Sequence, residues 1–130
     1  MKLSTFNDLR IVLNEFNTKH PRPHGKLKLT DLLDISTQSR ASWPSNEEPG
    51  VYVFLDSDKF VSYIGKASHN IGSRLSARFD VKWNSKTSES SDCKYITAIP
   101  LPINVGFEAP AIEEYLLERL NTKHNVIANS

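Results

Sequence analysis

A net charge of +1 over 130 residues, with 38% hydrophobic and 24% charged residues, describes a chain able to bury one real core. That balance lacks the basic excess usual in nucleic-acid-binding proteins, and no apolar run is long enough to span a bilayer. Cys93 is the single cysteine, so an internal disulfide is excluded and a reducing cytoplasm is the expected compartment.

In chain order, the Met1-Lys2-Leu3-Ser4 start has no secretory apolar segment. Thr5 is placed to cap a first helix in which Phe6, Leu9, Val12, Leu13 and Phe16 recur at helical spacing. Pro21, Pro23 and Gly25 break it, and Thr30 is read as the cap of a short second helix over Asp31 to Ile35. An irregular lead-in from Trp43 to Pro49 follows. Val51 to Leu55 and Phe60 to Ile64 are β-rich runs joined by the polar turn Asp56-Ser57-Asp58-Lys59, which predicts a hairpin. Alternation puts Tyr52 and Phe54 on one face, taken as the less apolar one, with Val51, Val53 and Leu55 on the other. Ten residues lie between Tyr52 and Tyr63, so the hairpin brings two phenols together.

A helix is predicted from about Ser73, with Leu75 and Phe79 as its buried stripe and Arg74 and Arg78 on a neighbouring one. Ser85 to Asp92 is polar and reads as a mobile loop. Tyr95 to Leu101 reads as a third strand ended by Pro100 and Pro102. A last helix, Ala109 to Asn121, has Pro110 in its first turn and Ile112, Leu116 and Leu120 as its inner ridge. Glu114 and Glu118 are assigned to a flank of that ridge.

Charge is unevenly distributed. Between Tyr63 and Lys86 the cations Lys66, Arg74, Arg78, Lys82 and Lys86 face one acid, Asp80, whereas Glu108 to Glu118 contains acids and no cation. Two phenols, a lysine, arginines and a carboxylate are what phosphodiester hydrolysis requires: a proton acceptor, a cationic clamp and a ligand for a hard metal ion. Solvated helix faces of alternating sign are the plainer account of the same charges. His20 and His24 lie in a proline-rich turn that cannot be helical, which argues against a zinc site. Trp43 and Trp83 read as packing residues and Cys93 as a bystander.

These strings resemble the GIY-YIG nucleases. Gly50-Val51-Tyr52 matches the first signature with Val for the middle Ile, and Tyr63-Ile64-Gly65 matches the second letter for letter. Tyr63-Ile64-Gly65-Lys66-Ala67 followed by Arg74 is similar to the version in excision-repair incision enzymes, with one extra residue in Ser68-His69-Asn70. The resemblance runs from about Pro49 to Asn125. Counting back eleven residues from Asn125 selects Glu114, rather than its neighbour Glu113, as the helix glutamate. A Tyr or His often follows the family arginine by about four positions, where this chain has Arg78; Thr122 stands in place of a proline.

The resemblance implies an α/β domain at 49–130, a small, mainly antiparallel three-stranded sheet flanked by helices, behind a helical N-terminal extension at 1–48. It implies metal-dependent endonucleolytic hydrolysis of DNA leaving a 5′ phosphate and a 3′ hydroxyl. Tyr52 would accept the proton, Tyr63 and Lys66 position the reactants, Arg74 neutralise phosphate charge, and Glu114 bind one Mg²⁺ or Mn²⁺. His69, Arg78 and Lys82 are expected on the DNA, and Gly50, Gly65 and Asn125 in structural roles. DNA is the expected partner, with RNA left open. The small size favours a homodimer or a structure-selective substrate. Two competing readings are a weak or inactive module binding branched DNA, and a protein adaptor that leaves the cationic strip unexplained.

Overall fold

Six consecutive buried residues, Gly50–Leu55, form the central strand β2 of the computed structural model, which describes residues 2–37, 43 and 45–125. A strand covered on both faces reads as a continuous apolar run, and GVYVFL is one. It pairs antiparallel with β3 (Val61–Ala67) on one side and β4 (Tyr95–Pro100) on the other. The short β1 (Leu33–Asp34) adds to β4, giving a four-stranded antiparallel sheet of order β1-β4-β2-β3. With helices α1 (Phe6–Lys19), α2 (Ile71–Arg78) and α3 (Ala109–Arg119), the fold is α/β.

Two cores sandwich the sheet. Val51, Val53, Leu55, Ile64 and Ile99 pack with Leu9, Leu13 and Phe16 of α1 and Ile112 and Leu116 of α3. On the opposite face Tyr52, Phe54, Ile96 and Ala98 pack with Ile71, Leu75 and Phe79 near α2 and with Trp43 and Trp83. The face carrying Tyr52 is therefore as fully covered as the other, not the wetter side. Thus α1 and β1, from the segment expected to be an extension, belong to the same core and the same sheet as the hairpin.

Local chemistry explains most element ends. Thr5 and Asp8 form a reciprocal capping box at α1. The hairpin turn closes on Asp56, whose Oδ1 accepts from the Asp58 and Phe60 amides, while Lys59 takes a left-handed φ of 65°. Asn70 caps α2 by accepting from Ser73 N at 2.7 Å, so that helix starts at Ile71, two residues before the expected point.

Two expectations are overturned. Asp31 to Ile35 is not a helix, because a single unsupported turn cannot repay its nucleation cost. Instead the Thr30 amide donates to the Ala98 carbonyl at 2.8 Å, and Leu33–Asp34 pairs with Ile96 and Tyr95 of β4. The Ser85–Asp92 stretch is organised rather than loose: it carries a 3₁₀ turn, Ser88–Ser90, and the buried Ser90 hydroxyl donates to the Arg78 carbonyl. Pro44, within the irregular lead-in, and Met1 lie outside the described residues. Among the described residues no helix is long and apolar enough to cross a membrane.

Candidate active site

The site forms where the C-terminal part of β3 meets α2 and α3. The two signature glycines owe their identity to close approach. A Cβ on Gly65 would stand 2.2 Å from Tyr52 Cζ, so the absent side chain is the space the phenol occupies. A Cβ on Gly50 would stand 2.1 Å from the Ile99 carbonyl oxygen, and its φ of +150° also favours glycine.

β3 is an edge strand, and its edge is covered by the segment after α3. The Asn125 side chain imitates a strand: Oδ1 accepts from Ile64 N and Nδ2 donates to Ile64 O, both at 2.8 Å. His124 N donates to the Ser62 carbonyl at 2.8 Å, and Asp92 pairs with Lys123 and His124. Tyr63, between these anchor points, is fixed in position.

The phenols differ in environment. Tyr52 is 1% exposed, and burial pushes its hydroxyl well above the ordinary phenol range, against the pull of Arg78 and Arg74. Tyr63 is only half-buried. Arg78 Nη2 donates to Tyr63 Oη at 3.0 Å, and its guanidinium lies 5.1 Å from the Tyr63 ring centroid and 5.9 Å from that of Tyr52. Arg78, expected on DNA, is half-buried and lies over the tyrosine pair.

The two adjacent glutamates of α3 differ as well. Glu114 is exposed, whereas Glu113 is half-buried; burial raises its carboxyl above the usual range, and Lys66 and Arg74 act against that shift. At about 100° per residue, Ile112, Leu116 and Leu120 span roughly 0° to 80° of the helix wheel. Glu113 then falls near 100°, beside the ridge, and Glu114 near 200°, opposite it. The wheel thus sets Glu113 beside the ridge, where the count from Asn125 selected Glu114.

Lys66 and Arg74 are exposed, and both act on Glu113, while Arg74 also acts on Tyr52. His69 lines an open pocket of about 410 Å³ with Ala67, Ser68, Asn70, Ser73 and Arg74. Lys82 is not in that pocket: it lies in the turn after α2, its amide held by Asp80 Oδ1 at 2.8 Å. His24 pairs with Glu108 rather than with a second histidine, and no cluster of three or more His, Cys, Asp or Glu able to hold a metal occurs among the described residues. Cys93 has its thiol pushed up by burial, as for an inert cysteine.

No family model matches this chain. Over 86 residues, 63% of its length, it is 35% identical to UvrABC system protein C of Mesoplasma florum. Over the same extent it is 33% identical to the UvrABC system protein C of Mycoplasma mycoides and of Mycoplasma capricolum. The chain spans 14% of the length of each of these relatives.

Proposed function

We propose that the chain is a GIY-YIG-type endonuclease of DNA repair, hydrolysing phosphodiester bonds with a divalent metal ion. The observations that carry this reading are that Arg74 lines the open pocket after β3, next to the packed Tyr52–Tyr63 pair held by Arg78, and that Arg74 and Lys66 act electrostatically on the half-buried Glu113. The similarity to UvrABC system protein C, alongside the excision-repair style of the β3 signature, supports repair DNA as the substrate.

A lone, half-buried carboxylate whose charge is disfavoured by burial suits a cation that keeps most of its own water, as Mg²⁺ does. Glu113 would hold that Mg²⁺ or Mn²⁺, which when bound polarises the phosphate and offsets charge at the leaving oxygen. The remaining work belongs to the chain. Arg74 and Lys66 attract and orient the phosphate, Arg74 through the fork geometry of its guanidinium. Tyr63 meets solvent and accepts the proton of the attacking water, its hydroxyl oriented by the hydrogen bond from Arg78. Tyr52 backs Tyr63 from inside the core, with ring centroids 6.2 Å apart. This exchanges the two expected tyrosine roles, because a sealed, hard-to-ionise phenol is a poor first acceptor. The reducing compartment inferred from the lone Cys93 makes the cytoplasm its place of action.

The test is to incubate the purified chain with flap, fork, plasmid and linear DNA and Mn²⁺, beside Glu113→Gln and Glu114→Gln. Cleavage abolished by the first substitution, with DNA binding retained, and altered less than about threefold by the second, is the expected result. Binding without cutting by the parent chain identifies a recognition module instead.

A further inference from the structure

Among the described residues, two of the four large hydrophobic side chains that stand exposed lie on one short segment beside the candidate site. Ile103 is 78% and Phe107 74% exposed. Both sit on the 3₁₀ segment Ile103–Glu108 that leads into α3. The segment is anchored. Gly106 lies so close to Ser68 that a Cβ there would stand 2.2 Å from the Ser68 carbonyl oxygen, and Pro49 closes the same contact at 3.0 Å. At its end Glu108 is paired with Arg22 at 2.6 Å. Ser68 is itself part of the pocket wall with His69 and Arg74. The segment that carries the apolar pair is thus fixed, through Gly106, against Ser68 of the pocket wall, with its own Glu108 neutralised.

We infer that Ile103 and Phe107 form a wedge that stacks on a nucleobase face opened at a DNA branch, next to the phosphate held by Arg74. An aromatic side chain on a segment that abuts an arginine-lined pocket matches a polyanion that also carries flat apolar faces, which describes nucleic acid better than an apolar protein surface. Within a continuous duplex those faces are covered by neighbouring bases. At a fork or flap the terminal face is open, and an apolar wedge holds it there. The wedge supplies a preference for branched substrates that the small pocket alone lacks. This inference rests on the proposed nuclease reading.

The test is equilibrium binding, without divalent metal so that nothing is cut, of a forked DNA carrying 2-aminopurine at the junction and of a linear duplex of equal length. The fork is expected to bind more tightly and its fluorescence to change on binding. Phe107→Ala should weaken fork binding roughly tenfold, the scale of one lost base–aromatic stack, remove the fluorescence change and leave duplex affinity within about twofold. Phe107→Trp should restore both signals. If Phe107→Ala retains fork affinity and fluorescence while Arg74→Ala weakens both DNAs, the wedge is overturned and the nuclease reading stands. If Phe107→Ala only changes the oligomeric state, the patch is a contact between copies and the wedge is likewise overturned. Absence of DNA binding by the parent chain overturns both.

Discussion

Half-burying a carboxylate next to a helix ridge costs more than Lys66 and Arg74 return, so the Glu113 carboxyl is raised in the folded chain. Because the folded value lies above the unfolded one, the fold is most stable, as regards this group, below the unfolded value of about 4.3. That stability is lost as pH rises through the raised value. Glu113→Gln removes the penalty, so at pH 7 it should melt higher than the parent. Calorimetry at several pH values would show the two melting temperatures converging as pH falls towards 4. A lower-melting Gln variant would mean that the carboxylate is a net stabiliser and is not primed for a cation. Gly65 makes a harder demand. Gly65→Ala places a methyl where the Tyr52 ring stands, and overpacking of that kind costs about 1–3 kcal/mol. Urea denaturation should record that loss, and cleavage should fall further than stability because the phenol itself is displaced.

At the scale of elements, the hairpin was readable because its two runs are rich in β-branched and aromatic residues and its turn residues are specific. The first helix was readable from its cap and stripe, and the strand Tyr95–Pro100 from its proline end. β1 was not readable: Thr30-Asp31-Leu32-Leu33 imitates a cap and a helical turn, and only the carbonyls and amides of β4, distant in sequence, turn it into a strand. The same blindness hid the placement of Arg78 over the tyrosine pair, since spacing gives a side chain's stripe and not its partner across the fold. Glu113 differed, because the ridge of α3 already contained its position. The covered edge of β3 gives the prediction for this scale. Asn125→Ala leaves the Ile64 amide and carbonyl without their partners, a loss of about 1–3 kcal/mol. Asn125→Asp keeps the acceptor but not the donor and should fall between. Amide exchange at Ile64 should quicken in both, most in the alanine variant, and cleavage should decline in the same order as the β3 signature loosens.

For the whole molecule, the arrangement of two cores on one sheet decides what can be removed. Leu9, Leu13 and Phe16 of α1 cover the same face of β2 as Ile112 and Leu116 of α3, and Val53 and Ile64 lie beneath them. Tyr115 on α3 reaches back to Glu15 on α1, its hydroxyl donating at 3.1 Å, and its ring meets that of Phe16 edge-on at 4.9 Å. The first helix also carries the route by which the chain end is tied down, since Ser4 exchanges hydrogen bonds with Asn121 on the way to Asn125. A chain beginning at residue 45 keeps every proposed catalytic group yet strips Leu9, Leu13, Phe16 and Leu27 from one core and Trp43 from the other. Each buried side chain of that size contributes roughly 1.5–3 kcal/mol, so their combined loss is comparable to the entire stability of a small domain. The truncated chain should therefore lack a cooperative urea transition, expose apolar surface to a hydrophobic dye and cut no DNA, even though its signatures are intact. A shortened chain that still unfolds cooperatively and cleaves would show that residues 49–130 fold alone and that α1 is an accessory.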